Sequence, residues 1–131
     1  MSTTVSRTQI WTARILNGLA VAFLLFDAGM KLLRVPSAVE GTVTLGYPPG
    51  SVFGIGVVQL VCVVLYIVPR TSILGAVLLT GYLGGAVATH VRVGNPLFSH
   101  VLFPTYIAAL IWGSFYLRDA RVRALVPLEA R

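Results

Sequence analysis

Asp27 and Lys31 stand four residues apart inside an apolar run, Phe26-Asp27-Ala28-Gly29-Met30-Lys31-Leu32. That spacing places them on one face of a helix, close enough to pair. His90 and Arg92 fall near the end of a later apolar run, Asn95 in the turn that follows, and His100 at the start of the next run. Gln59 lies near the middle of another, and Tyr82 lies two helical turns before His90 on the same face. A carboxylate and imidazoles are the groups of general acid–base catalysis. Asp27, paired with Lys31, is expected to act as acid or base, with His90 or His100 as its counterpart. Gln59, Tyr82, Arg92 and Asn95 are expected to meet the polar atoms of an otherwise apolar substrate. The matching reactions are isomerisation, cyclisation or epoxide opening. Quinone-linked redox is a further class, because a quinone's carbonyls need nearby proton donors.

Each residue also has a plainer account. An Asp27–Lys31 pair neutralises two charges that would otherwise cost about 2.5–3.5 kcal/mol apiece at the centre of a membrane helix. Histidines near helix ends can simply satisfy carbonyls. Gln59 can bridge two helices by a hydrogen bond, and Arg34 can snorkel to the headgroups. Asp27, His90 and His100 form a two-histidine, one-carboxylate set of a kind that binds metals. They come from three separate runs without H-x-x-H or E-x-x-H spacing, and Lys31 and Arg92 would repel a cation, so no metal is expected. Two histidines ten residues apart across a tight turn are unlike haem ligands on facing helices, so no haem is expected. The cofactor is left unassigned, with a quinone as the one candidate.

The elements that carry these residues follow from composition. Of 131 residues, 56% are hydrophobic and 11% charged, and the mean hydropathy is +0.87. A soluble domain carries about 25% charged residues. This chain cannot solvate an ordinary surface, which excludes a soluble enzyme or a disordered tail. The net charge of +6 is spread between apolar runs rather than gathered in a patch, so no nucleic-acid partner is expected. The partner is the lipid bilayer, with a lipophilic small molecule, and with a second copy or a membrane redox protein as further candidates. Cys62 stands alone, so the chain has no intrachain disulfide and no C-x-x-C pair.

The runs themselves are too long and too uniform for strands. Four spans are expected, at about 11–33, 52–68, 73–93 and 97–117, in one transmembrane domain covering 1–131. Arg7 and Arg14 before Ile15–Phe26 look like the start of a signal peptide. Three further apolar runs and the lack of a cleavage site argue against that. One side of the bundle holds Arg7, Arg14, Arg70, Arg118, Arg121, Arg123 and Arg131, and the other Lys31, Arg34 and Arg92. Seven against three places both termini in the cytoplasm. Pro36-Ser37-Ala38-Val39-Glu40 in the long outer connection reads as the start of a short interfacial helix, with Val39 and Val43 on one face. Gly81, Gly85 and Thr89, with Gly84 and Ala88 beside them, form small-residue ladders expected to pack within the bundle. Pro104 has no N–H for the carbonyl of His100, so a kink is expected there.

Several segments resemble DoxX-like small membrane proteins. They are Gly81-Tyr82-Leu83-Gly84-Gly85-Ala86-Val87-Ala88-Thr89-His90-Val91-Arg92, Phe26-Asp27-Ala28-Gly29-Met30-Lys31-Leu32, Leu45-Gly46-Tyr47-Pro48, and Trp112 through Asp119. The resemblance implies an all-α membrane protein, a four-helix bundle in a bacterial inner membrane. The family name also implies an association with quinone-linked respiratory or sulfur oxidation, but the resemblance assigns no catalytic residue. Two functions stand side by side: an enzyme acting on a lipophile in a polar outer-half pocket, and a non-catalytic accessory subunit of a redox or transport complex.

Overall fold

The computed structural model describes residues 6–125, so Arg131 of the charge comparison lies outside the described residues. All described elements are helical: α1 (Arg7–Leu32), α2 (Pro36–Thr44), α3 (Ser51–Ile67), α4 (Ser72–Arg92), α5 (Phe103–Arg118) and α6 (Ala120–Leu125). Three helical stretches, Arg7–Leu32, Pro69–Arg92 and Leu97–Arg118, are long and apolar enough to cross a membrane. α3 is apolar but has 17 residues, about 26 Å at 1.5 Å per residue, at the short end of the spanning range. The chain is a membrane protein.

α1 begins four residues before the expected start because Ser6 caps it. The Ser6 hydroxyl accepts from the Gln9 backbone N–H, and the Gln9 side chain accepts from the Ser6 N–H. This capping box is written in the sequence as Ser6-x-x-Gln9. Pro36 starts α2 at a first-turn position, where its missing N–H has no intrahelical partner to lose. The last apolar run is not one helix. A single wide turn, Leu97–Val101, carries bonds from Val101 and Leu102 N–H to the carbonyls five residues back, and α5 restarts at Phe103. The expected kink is therefore a break, because Pro104 fits only a first turn.

α1 packs against α3 and α5, and α4 against the same two helices, while α2 lies across the ends of α1 and α3. The core between them holds Leu24, Val63, Leu79, Ile111 and Phe115. Phe26, Val58 and Leu74 face outward, as expected where lipid is the solvent. Lipid tails are as apolar as these side chains, so burial alone cannot hold the helices together. Close packing and interhelical hydrogen bonds must contribute. Gly75 supplies the first: a Cβ there would stand 2.2 Å from the Tyr66 backbone nitrogen. Ser114 Oγ supplies the second, donating to the Ala13 carbonyl at 3.0 Å, and the Tyr66 hydroxyl donates to Asn17 Oδ1 at the same end.

The small-residue ladder of α4 does not pack within the bundle as expected. A Cβ added at Gly81, Gly84 or Gly85 would meet nothing within 4 Å, and close approaches fall instead at Gly75 and Gly56. The ladder sits where the helices part. On α2 the buried residue is Thr42, while Val43 is 44% exposed. Beyond the spanning stretches, Asp119 accepts from the Arg121 backbone and guanidinium. The Arg121 side chain holds the Asp119 carboxyl below its ordinary range.

Candidate functional site

The site lies at the end of the bundle opposite the Tyr66–Asn17 bond. Its centre is the Lys31 ammonium on α1. That group donates to Asp27 Oδ2 at 2.5 Å, one turn back on the same helix. It also donates to Gln59 Oε1 of α3 at 2.8 Å and to the Tyr82 hydroxyl of α4 at 2.9 Å. An ammonium has three hydrogens, so all are committed. Tyr82 in turn donates to Gln59 Oε1 at 2.8 Å, and Gln59 Nε2 donates to the Leu24 carbonyl at 3.0 Å. Gln59 is completely buried. Three helices are thus tied at one point, with the Lys31 side chain 18% exposed and Asp27 36%. Asp27 Oδ1 has no hydrogen bond among the described residues, which leaves it as the network's open acceptor.

A second polar group is built around the α4–α5 connection. The Asn95 amide nitrogen lies 2.7 Å from His90 Nδ1. An amide nitrogen only donates, so Nδ1 accepts and the neutral ring carries its hydrogen on Nε2. His100 Nδ1 is 2.8 Å from Ser99 Oγ, and the two imidazoles meet edge to face at 5.9 Å between centroids. The break before α5 makes this possible. It swings His100 off the helical path and back toward α4.

Both groups line one cavity of about 840 Å³. Asp27, Lys31, Gln59, Tyr82, His90, Asn95 and His100 all contribute to its wall. Arg92 does not. It stands outside, against a separate cleft, and donates to the Leu45 carbonyl at 3.3 Å. Gly81 and Gly85 also line the cavity, so the missing side chains of the α4 ladder are part of what makes the space. The turn Leu97–Val101 packs on α4 and α5 but not on α1 or α2. On that flank the wall is side chains, Phe23 and Phe103 meeting edge to face at 5.1 Å.

Sequence reasoning passed over several wall residues. Phe23 lies one turn before Asp27 on the same face, so its spacing alone could have revealed it. Tyr47, whose hydroxyl lies 2.9 Å from Thr89 Oγ1, also lines the cavity. Thr42 and Ser37 enter through α2, whose placement no spacing in the sequence specifies.

Compared with known proteins, residues 15–114 match the DoxX-like family. No curated protein and no solved structure matches the chain.

Proposed function

This chain belongs to the DoxX-like family, and from that premise we propose that it binds a small lipophilic molecule in the 840 Å³ cavity and acts on it by proton transfer. We place it in a bacterial inner membrane with α1, α3, α4 and α5 as its four spans and both termini in the cytoplasm. The basic asymmetry supports that orientation. In it α2 lies along the outer interface, with exposed Val43 toward lipid and Ala38, Gly41 and Thr42 toward the cavity.

The observation that carries the reading is the uneven saturation of the polar groups. Lys31 has no donor to spare, whereas Asp27 keeps one oxygen open beside apolar walls. A substrate's apolar body would rest on Phe23, Ile55, Phe103 and Ile107, and its acidic hydrogen would meet Asp27 Oδ1. Asp27 takes that proton as base, and His90 Nε2 or His100 returns one at a second position. The substrate loses one proton and gains one, and the proton on Asp27 returns to the histidine across the cavity to reset the site. Lys31, Gln59 and Tyr82 are positioning residues that hold Asp27 in place. A quinone belongs to the same ligand class, its carbonyl oxygen accepting from His90.

The test begins with binding. Purified protein in detergent is heated with quinones and isoprenoid-like lipids, and a ligand of the proposed class raises the melting temperature. Gly85→Leu, which puts a side chain into the cavity without touching a polar group, should abolish that rise. With a substrate found this way, His90→Gln should keep binding and lose turnover by about 10²–10⁴-fold. If no such ligand stabilises the wild-type protein, the accessory-subunit reading replaces this one. If Gly85→Leu binds as well as wild type, the cavity is not the site.

A further inference from the structure

We propose that Arg92 forms a second site, separate from the cavity, for a singly charged phosphodiester, and that its source is a phospholipid headgroup. The cleft encloses about 300 Å³ between Gly46, Tyr47, Ala88, Thr89 and Arg92. Arg92 closes the apolar stretch of α4, and its guanidinium uses one of five donors, in a long bond to the Leu45 carbonyl. Among the described residues the ion pairs are Lys31–Asp27 and Arg121–Asp119, so Arg92 has no acidic partner there.

The cleft is shaped for this guanidinium. Gly46 has φ +95°, and a Cβ on it would stand 2.5 Å from Arg92 Nη2. With glycine there the guanidinium lies across the loop, and a side chain would push it aside. The opposite wall is neutral. Thr89 Oγ1 donates to the Gly85 carbonyl at 2.8 Å, which leaves the Tyr47 hydroxyl to donate to Thr89. Both hydroxyl hydrogens are spent, and they close the wall between cleft and cavity. One planar cation with no ion pair among the described residues matches a monoanion. A diphosphate would need further cations, and Lys31 is already committed to Asp27. A guanidinium also suits two phosphate oxygens at once. Val91, 60% exposed beside Arg92, offers apolar contact to acyl chains and points to a lipid rather than a soluble phosphodiester. This inference does not rest on the proposed chemistry of the cavity.

The experiment measures the melting temperature of delipidated protein in micelles supplemented with phosphatidylglycerol, phosphatidylcholine or soluble glycerophosphoglycerol. Native mass spectrometry counts retained lipids in parallel. Phosphatidylglycerol should raise the wild-type midpoint more than phosphatidylcholine does. Arg92→Gln should lose that increment, and Gly46→Ala, which keeps the guanidinium but pushes it aside, should reduce it. Arg70→Gln, at the other end of the helices, should keep it. If Arg92→Gln is too unstable to purify, Gly46→Ala carries the test alone. An unchanged increment in either variant overturns the proposal, whereas an equal response to the two lipids that is lost in Arg92→Gln keeps the phosphodiester site and shows that the choline cation does not compete with Arg92. An unchanged increment would leave Arg92 as a cap for the negative end of α4. A full increment from glycerophosphoglycerol would overturn the lipid source and leave a soluble phosphodiester.

Discussion

Replacing Lys31 by methionine keeps the side chain's length while removing one charge and three donors. The ammonium serves Asp27 at 2.5 Å, Gln59 at 2.8 Å and Tyr82 at 2.9 Å. Two of the three losses are mild. Gln59 Oε1 keeps the hydrogen of Tyr82 at 2.8 Å, and the Tyr82 hydroxyl, still donating, loses only an accepted bond. The main loss is at Asp27, whose carboxylate is left without its counter-charge. Stranding one member of a buried pair costs about 3–5 kcal/mol. The Asp27 side chain is 36% exposed, so water screens part of that cost, and the low end, about 3 kcal/mol, is expected. Asp27→Asn should cost less, about 1–2 kcal/mol, because the amide oxygen still accepts from Lys31. The double variant restores neutrality and should be about 2 kcal/mol more stable than additivity predicts. Unfolding of all four proteins in mixed micelles, followed by far-ultraviolet circular dichroism, measures the coupling. Additive losses, agreeing within about 0.5 kcal/mol, would refute a direct pair and with it the assignment of Lys31 to positioning Asp27.

The topology can be tested by cysteine labelling in intact cells, in a Cys62→Ala background. Arg70→Cys should resist an impermeant reagent and Glu40→Cys should react with it, and the reverse pattern would invert the proposed orientation. The start of α6 should depend on pH. The Asp119 carboxyl is held below its ordinary range by the Arg121 side chain, so its contribution is complete above about pH 4. It is lost as pH falls through the depressed value. Amide exchange at Arg121, whose N–H bonds Asp119 Oδ1 at 2.9 Å, should therefore quicken at low pH in wild type. Arg121→Gln should move the change toward higher pH, and a change that does not move would detach it from Asp119.

Much of the fold was legible because apolar helices announce themselves in one dimension. α1, α3 and α4 begin and end within about four residues of the expected bounds, and the early start of α1 has a written signal in the Ser6 capping box, whereas α5 starts six residues late because the turn Leu97–Val101 breaks the last run. α2 was legible from Pro36 because proline tolerates a first turn and little else in a helix. Its inward face was not, since the Val39–Val43 spacing says which residues share a face but not which face turns toward the bundle, and Thr42 is the one that does. The glycine ladder of α4 misled for a related reason. Small residues mark a place where something comes close or where space is left, and the spacing is the same for both.

The sequence by itself determined that this chain is a helical membrane protein of the DoxX-like family, and that Asp27, Lys31, His90 and His100 fall toward the same end of the helices. Hydropathy and charge placement depend only on the order of residues along the chain, and so does the Asp27–Lys31 pairing, because both partners ride one helix. Only the tertiary structure decided that Lys31 spends its remaining hydrogens on Gln59 and Tyr82, that Asp27 keeps an open oxygen, and that Arg92 turns away from the cavity. Those outcomes depend on the rotation of each helix about its own axis relative to its neighbours. That rotation is set by close packing at Gly56 and Gly75 and by the break before Pro104. A shift of one residue in helical phase, about 100°, would have separated the same side chains.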